Sequence, residues 1–374
     1  MKSNIIIGGD VSFDAVDYNK KGNFQKLKEC LNNAEYSIFN LESPITNSEN
    51  KINKIGPNLK TSTQAGEILL SYLKPDMVTL ANNHIKDFGQ EGIENTLELC
   101  KKLHIDTVGA GKNVHESFQD KTIILSCGVS VTIINACEQE FNLSAPDEYG
   151  AAHFNEIDLY YRITAAKRKS HKVITIVHGG HEHYSLPSPG YKKKLHYLID
   201  VGADVVISHH THFASGYEVK NDAPIFYSLG NLIFNRKGYG DYWHKGYLVN
   251  ISFDETGRID FELLPYQQCV TDNDFNFLEG LDKINYLKNI DSINEKIINE
   301  VALAKEWGLF MDSQTKPYYM WLNQMNKPER IFYRLFPQRA LSNYKKRKLA
   351  RLWQLLSCES HRELSIKLLE KYIK

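Results

Sequence analysis

In the stretch VISHHTHFASGYE, residues 205–217, His209, His210 and His212 follow directly on the apolar run Val205-Val206-Ile207. A neutral imidazole is only intermediate in its tendency to be buried, and it needs hydrogen-bond partners wherever it sits. Three of them behind a buried strand either lie on a surface loop or hold something. Four other strand-like runs end in a similar way. NIIIG leads to Gly9-Asp10, and YSIFN to Leu41-Glu42. DMVTLA leads to Asn82-Asn83-His84, with Asp87 close behind, and HKVITIVH ends in His178 followed by Gly179-Gly180-His181-Glu182-His183. Taken singly, each has an ordinary reading as a turn, a cap or a loop. Five together, with carboxylate, amide and imidazole groups and no thiolate, make a ligand set for hard-to-borderline divalent ions. One or two ions of Mn, Fe or Zn suit it, and a carboxylate can bridge a pair.

The elements that must position these groups alternate between short β-branched runs and helical patterns. QAGEILLSYL precedes the third run, EGIENTLELCKKL follows it, and KKKLHYLIDVG leads into ADVVIS. Several runs are apolar on both faces, as in strands covered on both sides. The pattern predicts an α/β domain with its functional side chains at the carboxyl edge of the sheet. After about residue 270 strands give way to helical text, so the expected division is 1–270 and a helical extension, 271–374.

Two divalent ions about 3.5–4 Å apart can clamp a phosphoryl group and activate a water. Such chemistry also needs a general acid near the leaving oxygen, for which histidine is the natural choice. His84 fits that role. Asp87 is read either as its orienting partner or as the N-cap of the helix that follows. Asn231 in YSLGNLIF is read either as a turn residue or as a hydrogen-bond partner of a ligand histidine. Lys60 is expected to be solvated, the alternative being contact with an anionic substrate.

The blocks GGD, NLESPIT, LANNHIKDFG, VHGGHEHY, SHHTH and PIFYSLGN stand in the order of the diagnostic blocks of the poly-gamma-glutamate capsule-synthesis family. Over about residues 4 to 235 the chain resembles that family, which belongs to the calcineurin-like metallophosphatase superfamily. The resemblance implies a four-layer αββα sandwich, two mixed sheets face to face with helices outside, and a dinuclear site at the strand ends. It implies Asp10 and His212 as ligands of a first metal and Glu42 as the bridge, where aspartate is commoner. Asn83, His178 and His210 would hold the second metal, with His84 against the substrate. Three positions depart from the pattern. Ser12 stands where the superfamily has histidine, which points to weak or single-metal occupancy. Gly179 replaces a tryptophan, opening the pocket, and Thr211 replaces a proline. His181, Glu182 and His183 either replace the missing ligand or act as supporting or substrate contacts, as Ser12 and Asn82 are also placed. His209 faces the other way by strand alternation and is expected to be supporting.

The bulk composition excludes little: 42% hydrophobic, 24% charged, and 45 basic against 45 acidic residues. The zero balance hides an asymmetry, because residues 327–351 hold nine Lys/Arg and one acidic residue, leaving 1–326 at about −9. Six scattered cysteines with no Cys-x-x-Cys pair point to a reducing compartment. The apolar stretch of MKSNIIIGGDVSF is too short for a signal region, and no later run approaches a membrane span. The expectation is a cytoplasmic protein, with peripheral contact to the inner face of the membrane as one reading of 327–353. Docking of that segment on the chain's own acidic body is another, and nucleic-acid binding is not expected. The function expected is a metal-dependent phosphoesterase-like hydrolase acting on an anionic or phosphorylated molecule or polymer intermediate in capsule or surface-polymer synthesis. The alternative is a non-hydrolytic metal-binding subunit of a polymer-assembly complex.

Overall fold

The computed structural model describes residues 2–13, 24–236, 239–270, 274–322, 327–335 and part of 352–369. In chain order the strands are β1 (Ser3–Ser12), β2 (Tyr36–Leu41), β3 (Met77–Thr79), β4 (Asp106–Val108), β5 (Ala110–Gly111), β6 (Lys121–Ile124), β7 (Ser130–Cys137) and β8 (Gly150–Ala151). They continue with β9 (Lys172–His178), β10 (Val205–His209), β11 (Tyr217–Lys220), β12 (Ala223–Phe226), β13 (Asn231–Phe234), β14 (Lys245–Phe253), β15 (Ile259–Gln268) and β16 (Phe275–Phe277). The helices are α1 (Gln25–Asn32), α2 (Thr63–Leu73), α3 (Gly89–Lys102), α4 (Val114–Ser117), α5 (Glu156–Lys167), α6 (Pro189–Asp200), α7 (Asp241–His244), α8 (Gly280–Ile298), α9 (Glu300–Leu322) and α10 (Lys327–Leu335).

Both large sheets are mixed. The first runs β16-β15-β14-β1-β2-β3-β4, with β13 added on β1. Strands β1 to β4 are parallel and β14 to β16 antiparallel. The second runs β11-β12-β10-β9-β7-β6, parallel at its centre and antiparallel at both edges. Period-2 alternation explains how the layers meet. Ile5 and Ile7 of β1 share a core with Ile133, Ile174, Ile176 and Ile207 of the second sheet. Ile6, on the opposite face of β1, packs with Leu27, Leu69, Leu70 and Ile93 from the helices around the first sheet. The outer side of the second sheet is covered by Leu159 and Ile163 of α5 and Leu195 and Leu198 of α6. Helix α6 starts cleanly ahead of the histidine-bearing strand: the Ser188 hydroxyl accepts from the Tyr191 amide (3.0 Å), and Pro189 takes the first turn.

The boundary expected near residue 270 cuts through a compact unit. β16 pairs with β15, and α8 buries Ile290 and Ile297 among the strands and helices before it. The chain instead divides into Met1–Ala304 and Lys305–Lys374. In the second unit, α10 exposes Ile331, Phe332 and Leu335, and Trp353 is exposed as well. Most of the basic segment, residues 336–351, lies outside the described residues. Among the described residues no helix is long and apolar enough to cross a membrane.

Candidate metal centre

Four strands of the two sheets end around one buried point. The Asp10 amide donates to the Gly230 carbonyl (3.2 Å), and a Cβ on Gly9 would lie 1.8 Å from that oxygen, so only glycine fits there. Glu42 follows β2, its amide bonded to Val11 O (2.9 Å), which sets the two carboxylates on adjacent strand ends. Strand β9 supplies His178, and His209 ends β10. His210 and His212 then turn inward on left-handed backbone, at φ 97° and 60°. Backbone of that kind in a non-glycine residue costs about 1–3 kcal/mol and persists only where surrounding structure imposes it. Here the His210 amide is held by Asp10 Oδ2 (3.2 Å).

The ligand atoms form two clusters that share one carboxylate. Glu42, His178 and His210 offer atoms within 4.8 Å of one another, and so do Asp10, Glu42 and His212. In the first-named cluster, His178 Nε2 lies 3.0 Å from both Asn83 Oδ1 and His210 Nδ1. In the other, His212 Nδ1 donates to Asn231 Oδ1 (3.0 Å), leaving Nε2 turned to Glu42 Oε1 at 3.8 Å. Asn231 is fixed in that orientation by donating to the Trp243 carbonyl (3.2 Å).

The electrostatics ask for a cation. Both Glu42 oxygens are buried without a hydrogen-bond partner, a costly state for a carboxylate. Burial, and then the neighbouring Asp10, push the Glu42 carboxyl well above its usual range. Burial raises Asp10 to about 7, against hydrogen bonds from Asn40 and the His210 amide. Burial also lowers His178 and His212 well below 6.5 and His210 to about 4, so these imidazoles stay neutral, as ligands must. The residues present fit divalent ions: a shared carboxylate with unpartnered lone pairs, flanked by neutral imidazoles and an amide oxygen.

His84 is buried beside this centre, with Nε2 4.0 Å from Glu42 Oε1. Its Nδ1 donates to Asp87 Oδ2 (2.6 Å). Asp87 is not a helix cap: α3 begins after Phe88 with no side-chain cap, and the Asp87 carboxylate is spent on His84, the Leu59 amide (2.6 Å) and Lys54. Burial lowers the His84 pKa, partly offset by Asp87. Lys54 was not singled out in the sequence. Its side chain is 2% exposed, it pairs with Asp87, and its Nζ lies 3.2 Å from His84 Nδ1. Lys60, the lysine considered there, bonds Ser48 O (2.7 Å) and Glu49 (2.6 Å) instead.

The supporting residues sort by contact. Asn82 shapes the turn, accepting from the amides of His84 (3.0 Å) and Ile85 (2.8 Å). Asn40, also missed, donates to Asp10 Oδ1 (2.7 Å) and lies 3.3 Å from His178 Nδ1. His209, expected to face away, is buried with Nδ1 3.9 Å from Asp10 Oδ1, and burial holds its pKa at about 3. Ser12 is buried at the end of β1, opposite Phe234. His181, Glu182 and His183 join neither cluster. His183 packs near His212, at 5.9 Å between ring centroids. The space expected at Gly179 is occupied, since a Cβ there would meet Glu138 at 2.8 Å.

Comparison with known proteins places this geometry in a family. Capsule biosynthesis protein CapA of Bacillus anthracis is 29% identical over 249 residues, covering 63% of this chain and 59% of that protein. PGA biosynthesis protein CapA of Bacillus subtilis (strain 168) is 26% identical over 248 residues, 65% of this chain and 64% of that one. A probable polyglutamine synthesis accessory protein of Mycobacterium tuberculosis is 26% identical over 185 residues, 46% of this chain and 48% of that protein. The chain thus spans about three fifths of the length of the first two relatives. Among solved structures, TT1561 of Thermus thermophilus matches with a TM-score of 0.38 at 11% identity, over 70% of this chain and 99% of that one. The Thermus thermophilus sulfate thiohydrolase SoxB matches with 0.41 at 12% identity, over 64% and 40%. Scores this low carry no argument. The model of the bacterial capsule synthesis protein PGA_cap matches residues 4–236, and the chain belongs to that family.

Proposed function

We propose that the chain is a metal-dependent phosphoester hydrolase serving capsule or surface-polymer synthesis, built as a four-layer metallophosphatase-like sandwich. The observation that carries this reading is Glu42, a buried carboxylate with two unpartnered oxygens shared by two ligand clusters. Glu42, Asn83, His178 and His210 would hold one divalent ion, and Asp10, Glu42 and His212 the other, with Mn, Fe or Zn suited to the donor set. When bound, such ions supply Lewis acidity toward a phosphoryl oxygen and an activated water. His84 directs Nε2 toward the centre because Asp87 holds Nδ1. In its imidazolium form, which Asp87 favours against burial, Nε2 would hand its proton to the leaving oxygen while Nδ1–H stays on Asp87. Lys54 and the Leu59 amide hold Asp87 in turn. The basic, aromatic segment 327–353 suits contact with an anionic lipid surface or a lipid-linked glycan.

A non-hydrolytic, metal-binding accessory role is favoured by one observation. Ser12 ends β1, two residues after Asp10, at the position where the superfamily the chain resembles has a histidine, and a centre short of one ligand activates water less. Metal content and turnover of phosphomonoesters and phosphodiesters with Mn²⁺ separate the two readings. Wild type is expected to bind metal and turn over, and His84→Ala to keep the metal while losing about 10²–10⁴ in rate. Metal without turnover on a broad phosphate panel supports the accessory role, and absence of both sinks the hydrolase.

A further inference from the structure

Strand β13 leads outward from Asn231, which holds His212, to Arg236. The Arg236 guanidinium lies over the Phe234 ring, 5.6 Å from its centroid, and Phe234 meets His212 edge-on at 5.2 Å. Among the described residues no carboxylate pairs with Arg236. Its charge nevertheless reaches Glu42, where it favours the ionised carboxylate, while Glu182 acts the other way. A guanidinium held on an aromatic ring with its fork unspent is suited to bidentate binding of two oxygens of a carboxylate or phosphoryl group.

Beside it stands an aromatic stack. Tyr239 lies on Trp243 at 4.1 Å between centroids and 18° between planes, and Trp243 is 4.8 Å from His212. Trp243 is buried (1% exposed), so it fixes one face of Tyr239, while Tyr239 remains 39% exposed. His183 lies 5.8 Å from Tyr239 and 5.9 Å from His212. The exposed ring therefore sits two ring contacts out from a metal-ligand histidine. An aromatic ring already held in place loses little freedom when a second ring settles on it.

We propose that Arg236 and Tyr239 form a ledge at the rim of the centre that binds an oxyanion joined to a ring, Arg236 taking the oxyanion and Tyr239 the ring face. The inference rests on the hydrolytic reading only in identifying the oxyanion as a phosphoryl group. The ring is aromatic or saturated, as in a saccharide, because both stack on tyrosine.

Binding of three non-hydrolysable probes to the full-length, Mn²⁺-loaded protein tests the ledge: methylphosphonate, phenylphosphonate and cyclohexylphosphonate. Tyr239→Ala is expected to lower affinity for the ring-bearing probes by about 5- to 10-fold and leave methylphosphonate unchanged, with Tyr239→Phe behaving as wild type. A loss for phenylphosphonate alone assigns an aromatic ring, and a loss for cyclohexylphosphonate a saccharide-like one. Arg236→Ala is expected to weaken all three by about 10- to 100-fold, with partial recovery in Arg236→Lys. Metal content and unfolding temperature equal to wild type exclude a folding defect. Equal affinities in wild type and both alanine variants overturn the ledge even where turnover stands, whereas variant-sensitive binding without turnover keeps the ledge and removes the hydrolase.

Discussion

The two halves of the centre share Glu42 and differ in how their other donors are held. Around His178 the donors touch one another, with Asn83 Oδ1 and His210 Nδ1 both 3.0 Å from one imidazole nitrogen. Around Asp10 the donors stand apart, with His212 Nδ1 3.8 Å from Asp10 Oδ2; Asn231 holds His212 from behind, and Asn40 braces Asp10 and His178 alike. Position 12, two residues beyond Asp10 at the end of β1, is a serine and offers no imidazole. The lesson is one of donor number: four groups converge at His178, counting Asn83, and three at Asp10, so the first half makes the tighter site. Metal is therefore expected to bind in two unequal steps, the tighter at His178.

The largest effect belongs to the shared residue. Glu42→Gln keeps the shape and removes the charge both halves use, so titration with Mn²⁺ should show both steps weakened by more than about 100-fold, beyond the loss of an outer partner. If only one step moves, Glu42 is not a bridge. A smaller, one-sided effect is expected at Asn231. Asn231→Leu frees His212 to rotate and should weaken the looser step by about 10- to 100-fold while leaving the tighter one unchanged. Equal losses in both steps would contradict the division into halves. Ser12→His runs in the opposite direction. An imidazole added at the end of β1 should tighten the looser step by about 10-fold, read in the same titration, and raise turnover if the second ion limits it.

Much of this centre is legible in the sequence, for a physical reason. A buried strand needs no imidazole or carboxylate at its end, so Asp10, Glu42, His178 and His210 announce themselves against β-branched neighbours. Asn231 is only half legible, because an amide after a glycine serves a turn as readily as a ligand histidine, and the contact with His212 Nδ1 decides it. Lys54 is not legible: a lysine in a polar loop is solvated by default, and its burial depends on Asp87, 33 residues away. Lys60, read as solvated with substrate contact as the alternative, bonds Ser48 O and Glu49. Within the fold, β15 was missed because its exposed face breaks the apolar run with Asp260 and Glu262. Helix α8 looked like the start of an extension because strands give way to helical text there, and sequence alone does not show which of its apolar positions find a core. Ile290 and Ile297 are buried only because two core clusters are there to receive them.

The last and smallest expectation concerns pH. In the metal-free protein, burial depresses His84, His178, His209, His210 and His212, and raises Asp10 and Glu42. The unfolded chain takes up protons on these histidines below 6.5, whereas the folded chain resists until about 4 at His210 and about 3 at His209. Their contribution to stability thus grows as pH rises from about 4 to 6.5 and is complete above that. The carboxyls act in reverse. Folded Asp10 keeps its proton to about 7 while the unfolded group loses it near 3.8, so its contribution falls across that window. Five histidines outweigh two carboxyls below 6.5, and only the carboxyls change above it. Metal-free protein should therefore be most stable near pH 6.5 and lose a few degrees of Tm toward pH 8. Bound ions prefer the ionised carboxylates, so saturating Mn²⁺ should remove that decline. Glu42→Gln, neutral at every pH, should shrink it without metal, leaving the part that Asp10 contributes. A decline of equal size in wild type, Glu42→Gln and the metal-loaded protein would place its origin outside the centre.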